Sequence, residues 1–403
     1  MNDKILAILI ANVSFYILIL AAAYAGPTPF NRLTNQREAA SPRLAGGAFA
    51  ITSMLIAPIA ILSLFDQIIN PYSTSMQYIA NTGQMINTNS NGYFQVVQSM
   101  LIPLIAIFVW INRFSIMSLS VSGIYVALKS TTGSRWPIVV LFLWIGILYL
   151  YENRKRWPPA WLIAPLFGVW IIFSSLGVDR GGGLRDFLFE YESTTTYSAE
   201  SEYLKPFEEM DYGNMEFLEY IVHAVPQKSG TYDYFTGHSR ILTEPIPRVL
   251  WPDKPVGAPF QLVNLWDHGT PIGMTNSVGG TGWLDFGWIG VLLWSVVFGS
   301  IYGAAYKKFA ESDSRFWLII YTGLAALALQ FFRDGLPLTV LRFSFVVFLP
   351  VIIWHFFDAR NIATLEAARR KRVSLMVRRR PDIAAKILAR QRGAKRSMLG
   401  RNS

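Results

Sequence analysis

The chain has 403 residues, of which 52% are hydrophobic and only 15% are charged, and its mean hydropathy is positive at +0.32. These values are typical of multi-pass membrane proteins and exclude an ordinary soluble multidomain enzyme. The absence of cysteine excludes disulfides, thiol catalysis and thiolate metal sites. The formal net charge is +10, and residues 358–403, with 14 Lys and Arg against 3 Asp and Glu, account for all of this excess.

Apolar runs that approach the roughly 20 residues needed to cross a bilayer predict nine helices. They lie at 5–25, 44–65, 97–112, 114–129, 136–151, 159–178, 286–306, 315–332 and 336–357. The two runs beside Arg113 are short, so they fit either tilted helices or one re-entrant segment. The predicted fold is an all-α polytopic integral membrane protein with about nine transmembrane helices and one large extracytoplasmic loop. Its parts are an N-terminal bundle (1–178), the loop (179–285), C-terminal helices (286–357) and a basic tail (358–403).

Positive charge predicts how these helices are oriented, because Lys and Arg stay on the cytoplasmic side of a membrane. Basic residues cluster at 26–43, at 154–156, at Lys307 and Lys308, and in the tail, whereas 66–96 contains none. One topology satisfies all of these segments: the N-terminus and the loop 179–285 lie outside, and the C-terminus lies in the cytoplasm. The predicted location is the cytoplasmic (inner) membrane of a cell.

The loop 179–285 contains 16 acidic and 7 basic residues and is too rich in aromatic side chains for a disordered linker. Apolar residues at helical spacing predict a short amphipathic helix over 216–225, lying in the membrane interface. The basic tail, which directly follows the last predicted helix, is expected to contact anionic lipids at the cytoplasmic face. Nucleic-acid binding is the less favoured interpretation of such a tail, and no nucleic-acid partner is predicted.

A proline-rich element lies within the predicted outer loop. From Thr243 to Pro255 it reads TEPIPRVLWPDKP, with four prolines and four charges in thirteen residues. Each proline fixes φ and removes a backbone donor, so neither a helix nor a central strand continues through the element. The stiff, extended scaffold presents Arg248, Trp251 and Lys254, and it indicates a site for an anionic ligand.

Basic side chains on the outer side are the main candidates for this site. The membrane-insertion rule disfavours them there, so their presence calls for an explanation. Guanidinium groups bind phosphate bidentately, and several together would bind a pyrophosphate and stabilise it as a leaving group. The alternative is that Arg135 and Arg333 contact lipid headgroups while the others pair with acidic loop residues. The candidates are Arg135, Arg180, Arg185, Arg240, Arg248, Lys254 and Arg333.

His238, in the sequence Gly237-His238-Ser239-Arg240, is the candidate base in the same loop. A structural hydrogen-bonding role is the alternative for a single histidine. Three successive glycines at 181–183 would either expose backbone donors to an anion or act as a hinge. Because no His, Asp or Glu cluster has metal-ligand spacing, neither a metal nor another cofactor is predicted.

Four elements, in order over roughly residues 115–345, resemble the bacterial O-antigen polymerases (Wzy type), also called oligosaccharide repeat-unit polymerases. The most specific is Ile246-Pro247-Arg248 followed by Leu250-Trp251-Pro252-Asp253-Lys254-Pro255, which is similar to that family's iPR-x-hWP-x-KP element. Tyr234 to Ser239 resembles the y-x-x-G-x-s/t motif that precedes this element in the family. Thr132-Gly133-Ser134-Arg135 is similar to the GSR that opens a helix in these polymerases and in the related O-antigen ligases.

The fourth element, Asp285 to Gly290, resembles the nfG-x-x-G that leads into the next helix of these polymerases. Many members have a Gly-Glu before this element, whereas this chain has Gly280-Thr281-Gly282. A role for that glutamate therefore has no counterpart in this chain.

The resemblance implies a GT-C-like, metal-independent membrane glycosyltransferase that acts at the outer face and makes a surface polysaccharide (O-antigen, capsule or exopolysaccharide). Its donor would be an oligosaccharide on undecaprenyl pyrophosphate, and its acceptor another lipid-linked repeat unit. A chain-length regulator and a flippase would be its partner proteins. The expected catalytic residues are Arg135, Arg180 and Arg248, and the expected substrate-binding residues are Arg185, His238, Arg240, Trp251, Lys254 and Arg333.

Two alternatives stay open from the sequence. An O-antigen ligase-like enzyme would transfer a finished glycan from the same carrier to a different acceptor. A transporter or flippase of lipid-linked sugars would use the arginines only for binding. Such a transporter is expected to show paired halves or broken helices in matching positions, and the sequence has no symmetry of this kind.

Overall fold

The computed structural model describes residues 2–26, 45–69, 76–78, 85–87, 92–132, 136–155, 157–159, 214–243, 246, 250–251, 258–269, 276–312 and 314–379, which are mainly helical. The helices are α1 (Asp3–Ala25), α2 (Gly46–Ile69), α3 (Gly92–Val96), α4 (Leu101–Ile111), α5 (Ile116–Ser130), α6 (Trp136–Glu152), α7 (Asn214–Ala224), α8 (Arg240–Thr243), α9 (Ser277–Phe286), α10 (Trp288–Glu311), α11 (Arg315–Asp334) and α12 (Pro337–Arg379). Two short strands, β1 (Met76–Tyr78) and β2 (Met85–Asn87), pair antiparallel.

Six helices in these ranges are long and apolar enough to cross a membrane, so the chain is a multi-pass helical membrane protein. They are Asp3–Ala25, Gly46–Ile69, Phe94–Ile111, Trp288–Glu311, Arg315–Asp334 and Pro337–Asn361. The predicted helices at 114–129 and 136–151 form as the shorter apolar helices α5 and α6. All but the first residue of the predicted helix 159–178 lie outside the described residues. The count of nine spans therefore stays a prediction.

The first helix, α1, packs against α10 along most of its length. Each contact joins a residue of α1 to the residue 281 positions later in α10. Because this separation stays constant along the helices, the two run parallel. The contacting pairs are Ser14 with Ser295, Leu18 with Gly299 and Ala22 with Gly303. A Cβ atom on either glycine would lie 2.3 Å from a carbonyl oxygen of α1. Glycine thus lets the two backbones approach closely, as is common between membrane helices.

The main hydrophobic core lies between α2, α4, α6, α11 and α12. Trp144 is fully buried there and donates its Nε1–H to Thr322 Oγ1 at 3.0 Å. Trp110 packs edge-on against Trp354 and donates to Glu152 Oε1 at 2.7 Å. Each indole N–H with such an acceptor avoids the cost of burying a free donor.

The amphipathic helix predicted over 216–225 is confirmed as α7, with bounds Asn214–Ala224. Its apolar face is buried against the first part of α1 and against α9. The packed residues are Phe217, Leu218, Ile221 and Val222 of α7 with Leu6, Ala7 and Ile10 of α1. Other helices of the chain thus cover this face, and the predicted position of the helix in the membrane interface stays a prediction.

A polar cluster is buried between α2, the start of the third span and the end of α5. Lys129 Nζ donates to Gln67 Oε1 at 2.7 Å and to Gln98 Oε1 at 2.8 Å. Nearby, Gln95 Nε2 donates to Asp66 Oδ2 at 3.0 Å. A buried ammonium needs such acceptors, because desolvation without hydrogen bonds would be costly. This cluster was not predicted from the sequence.

The last helix, α12, continues past the predicted end at 357 and reaches Arg379. The candidate membrane span within it, Pro337–Asn361, lies close to the predicted one. The helix continues beyond the apolar run because no glycine or proline occurs from 358 to 379, where Ala, Leu, Arg and Lys favour a helix. Near this boundary, Arg315 Nη1 lies 3.2 Å from Asp358 Oδ1 and joins the start of α11 to α12. Part of the predicted basic tail is therefore helical.

The N-terminus, α7 and the end of α11 lie at the same end of the molecule. His223 Nδ1 is 2.8 Å from Asp3 Oδ2, and Asn214 Nδ2 donates to the carbonyl oxygen of Arg333 at 3.3 Å. The charge-based topology requires this arrangement, since it places the N-terminus and the loop 179–285 on one side. That this side is the outer one stays a prediction.

Reporter fusions after Tyr72 and after Tyr220 are expected to report the outer side, and a fusion after Arg156 the cytoplasm. The physical reason is that 66–96 lacks Lys and Arg, whereas 154–156 is a basic cluster. Paired alkaline phosphatase and fluorescent-protein fusions measure this directly. A cytoplasmic signal at Tyr220 would remove the basis for any function at the outer face.

Candidate functional site

A tight turn organised by Asp233 carries the segment that contains His238. The buried Asp233 carboxylate accepts hydrogen bonds from Thr236 Oγ1 at 2.8 Å and from the backbone N–H of Gly237 at 2.6 Å. Two residues of the turn have positive φ, namely Tyr234 (49°) and Phe235 (63°). Non-glycine residues adopt this conformation only where other contacts stabilise it. The Asp233 hydrogen bonds supply that stabilisation.

The side chain of His238 forms a hydrogen bond with a carboxylate 47 positions later in the chain. Its Nε2 atom lies 2.8 Å from Asp285 Oδ2, and the two side chains are 16% and 1% exposed. Trp294 Nε1 donates to the same carboxylate oxygen at 2.7 Å. Because a carboxylate only accepts, Nε2 is assigned the proton of the imidazole, and Nδ1 has the free lone pair.

Two backbone hydrogen bonds join the His238 segment to the end of α9. The N–H of Asp233 donates to the carbonyl of Leu284 at 2.9 Å, and the N–H of Tyr234 donates to that of Asp285 at 3.0 Å. The short separation between His238 and Asp285 is therefore fixed by main-chain contacts as well as by the side chains.

A sharp bend between α9 and α10 places Asp285 opposite Trp294. Gly287 in this bend has a φ of +58°. A Cβ atom on Gly290 would lie 2.0 Å from the carbonyl oxygen of Gly282, so the two helices meet backbone to backbone. Only glycine allows so close a contact. The bend returns the chain onto α9 and brings the Trp294 indole to the carboxylate.

Aromatic rings surround the His238–Asp285 pair. The centroid of the His238 ring is 5.4 Å from that of Trp294 and 6.0 Å from that of Phe235. The Phe235 ring also packs on Phe286, with centroids 4.9 Å apart. These contacts restrict the imidazole to one orientation and limit the access of water to the carboxylate.

The geometry suits the His238–Asp285 pair to proton transfer. Asp285 orients the imidazole through Nε2 and would stabilise the imidazolium formed when Nδ1 takes a proton. Within the described ranges, we find no hydrogen bond to His238 Nδ1. Asp285 Oδ1 is buried and likewise has no hydrogen-bond partner there, so the hydrogen bonds to this carboxylate converge on Oδ2. The arrangement is compatible with a general base and its orienting carboxylate, and equally with a structural hydrogen bond.

Five of the predicted site residues lie outside the described residues, and their roles stay predictions. They are Arg135, Arg180, Arg185, Arg248 and Lys254. Two others are described near His238 or in the proline-rich element: Arg240 is exposed and begins α8, and Trp251 is partly exposed.

Arg333 lies at the end of α11, where its guanidinium is 4.7 Å above the centroid of the Trp136 ring. This cation–π contact orients the guanidinium. Trp136 is the first residue of α6, so this contact joins the end of α11 to the start of α6. The structure thus gives Arg333 an aromatic partner within the protein, in addition to any headgroup contact.

Sequence reasoning did not identify Asp285, Trp294 or Asp233 as site residues. A signal for Asp285 was present, because His238 and Asp285 both belong to elements that carry the family resemblance. Nothing in the sequence pointed to Trp294, since only the glycine bend brings its indole to the carboxylate.

Comparison of the chain with protein-family models, with curated proteins and with solved structures finds no match. The resemblance to repeat-unit polymerases therefore rests on the sequence elements alone. Among the described residues, no group of three or more His, Asp or Glu side chains is arranged to hold a metal ion. A metal-independent reaction stays a prediction.

Replacing the buried carboxylate is expected to destabilise the fold. Asp285→Ala removes the acceptor shared by His238 and Trp294, at a cost of about 1–3 kcal/mol in the free energy of unfolding. Asp267→Ala is the matched control, because Asp267 is an exposed loop aspartate that accepts from Asn264 Nδ2. Thermal unfolding of both variants in the same detergent measures the difference. Equal melting temperatures would contradict the importance of this hydrogen-bonded pair.

Proposed function

We propose that the chain is a membrane glycosyltransferase that polymerises oligosaccharide repeat units linked to undecaprenyl pyrophosphate, at the outer face of the cytoplasmic membrane. The observation that carries the proposal is the hydrogen bond between His238 Nε2 and the buried Asp285 carboxylate. It joins two of the sequence elements that resemble the repeat-unit polymerases. The multi-pass architecture and the shared end of the N-terminus and loop support the proposed location.

In the proposed reaction, His238 Nδ1 takes the proton from a hydroxyl of the acceptor sugar. The hydroxyl oxygen forms a bond to the anomeric carbon of the donor glycan. The bond from that carbon to the pyrophosphate oxygen breaks, and the lipid pyrophosphate leaves with the electron pair. The Asp285 carboxylate stabilises the positively charged imidazolium until its proton is released to solvent. No atom or electron is required from another co-reactant.

The leaving group needs positive charge, which the outer basic residues would supply. Arg135, Arg180 and Arg248 are the proposed pyrophosphate contacts, because guanidinium groups bind phosphate oxygens in pairs. Arg333 supports this assignment, since its guanidinium is already oriented by the ring of Trp136, which follows Arg135.

Elongation by the purified chain in phospholipid vesicles tests the proposal, with lipid-pyrophosphate oligosaccharide as substrate and a strong chelator present. Long chains of many repeats are expected from the unaltered protein. His238→Gln should reduce the rate by roughly 100-fold or more, because general-base catalysis contributes about that much. His223→Gln is the matched control, since His223 also contacts an aspartate, Asp3, at the same end of the molecule.

The other outcomes of this assay each have a definite meaning. Full activity of His238→Gln would overturn the role of His238 as base. Transfer of a single glycan to a foreign acceptor would show a ligase, and binding without transfer would favour a transporter. Loss of elongation on chelation, with recovery on adding a divalent ion, would contradict a metal-independent reaction.

Arg248→Lys is expected to lose almost as much activity as Arg248→Ala, because an ammonium keeps the charge but lacks the planar fork. Removal of one charge-stabilising donor of this kind lowers a rate by roughly 100- to 1000-fold. Lys254→Arg is the control and should retain activity if Lys254 contributes only positive potential. Near-normal polymer length from Arg248→Lys would assign the phosphate contact to other arginines.

A further inference from the structure

The position of the site along the transmembrane helices follows from how α1 and α10 are aligned. The constant separation of 281 residues between their contacts places Trp288, the first residue of α10, level with Ala7 of α1. Helix α1 begins four residues earlier, at Asp3, which is a distance of about 6 Å along the axis. Trp294, which contacts Asp285, lies deeper still, level with Val13.

Both helices present apolar side chains to their surroundings at this level. The exposed residues are Ile5, Ile8 and Leu9 of α1, and Ile289, Leu292 and Leu293 of α10. Such side chains on helices of spanning length are the lipid-facing surface of a membrane protein. The hydrocarbon layer therefore extends to the level at which α10 begins.

The His238 segment lies beside this outer part of α10. Phe235 packs on Phe286 and on Trp294, and the His238 ring packs on Trp294. A second segment is held against it by two hydrogen bonds. Ser239 Oγ donates to the carbonyl of Phe260 at 3.1 Å, and the N–H of Leu262 donates to Thr236 Oγ1 at 3.0 Å.

These two segments expose large apolar side chains next to the site. Leu242 is 79% exposed, Phe260 is 73% exposed and Leu262 is 58% exposed. A single exposed apolar side chain needs no explanation, but three large ones on the segments that carry the His238 site indicate a contact surface. We define Leu242, Phe260 and Leu262 as the apolar rim.

We infer that the apolar rim contacts the hydrocarbon chains of the outer leaflet, so that His238 lies at the level of the bilayer and not in the water above it. Lipid is the occupant inferred, because the segments that carry the rim pack through Phe235 and His238 on Trp294 of α10, and the exposed face of α10 is apolar. The inference extends the proposed function: an acceptor would reach His238 from the plane of the membrane, which selects amphiphilic substrates. The lipid contact itself does not depend on glycosyl transfer.

Because the sequence contains no cysteine, single spin labels can be introduced without removing native residues. Phe260→Cys and Leu262→Cys carry the label on the rim. Ile289→Cys is the lipid-facing reference, and Lys228→Cys, an exposed polar position after α7, is the water-facing reference. The protein is reconstituted at low density in phosphatidylethanolamine–phosphatidylglycerol vesicles, and collision rates with oxygen and with a water-soluble nickel chelate are measured.

The rim labels are expected to resemble Ile289, with high oxygen and low nickel accessibility. Values like those of Lys228 would overturn the inference. Dipolar broadening between labels on different molecules would also overturn it, because a second copy of the chain would then cover the rim. Neither readout requires catalysis, so a lipid-exposed rim in a chain that transfers no sugar would contradict only the proposed function.

Discussion

The contact of Gly282 with Gly290 is the constraint on which the site depends. It lets α9 fold back onto the start of α10 at a separation that any side chain would prevent. Asp285 is in the last turn of α9, and Trp294 is in the second turn of α10, so this contact determines their distance. The same fold-back exposes the Leu284 and Asp285 carbonyls to the backbone N–H groups of the His238 turn. The geometry of the His238–Asp285 pair therefore follows from main-chain packing.

Burial of Asp285 beside a membrane would be unfavourable without partners, since an ionised carboxylate loses its hydration there. The hydrogen bonds that His238 and Trp294 donate to Asp285 Oδ2 compensate for this lost hydration. The same principle holds for the opposite charge at Lys129, because its buried ammonium donates hydrogen bonds to two glutamine side-chain oxygens. The partners of Lys129 are 62 and 31 positions away in the sequence, and His238 is 47 positions from Asp285. Burial of each charged group therefore depends on contacts between separate segments of the chain.

Much of the helical architecture could be predicted from the sequence, because bilayer thickness and helical rise determine how long an apolar run must be. Eight of the nine predicted runs form helices, seven of them with both bounds close to the expected ones, and α7 nearly has the bounds that its apolar spacing indicated. The end of α12 was missed because hydropathy falls at Asp358 although helix propensity does not. The buried face of α7 was missed because amphipathicity does not say whether lipid or protein covers the apolar side.

The site was predictable only in part, and for a physical reason. His238 could be proposed from its own chemistry and neighbours, since a histidine in a polar loop is a candidate base wherever it occurs. Asp285 lay in another of the elements that carry the resemblance, but its pairing with a histidine 47 positions away could not be predicted, because the fold alone brings the two side chains together. The apolar rim was also not predicted. Leu242, Phe260 and Leu262 are separated in a largely polar loop, and only the fold brings them together.

The two halves of the proposed reaction place different demands on the protein. Pyrophosphate is a good leaving group, so its departure requires mainly positive charge, which several arginines can provide without a rigid arrangement. The attacking sugar hydroxyl is a poor nucleophile, and its proton must be removed by a base held at hydrogen-bonding distance. The rigid turn at Asp233, the glycine bend and the aromatic contacts are all found around the histidine. These contacts hold the imidazole in the fixed position that removal of the acceptor proton would require.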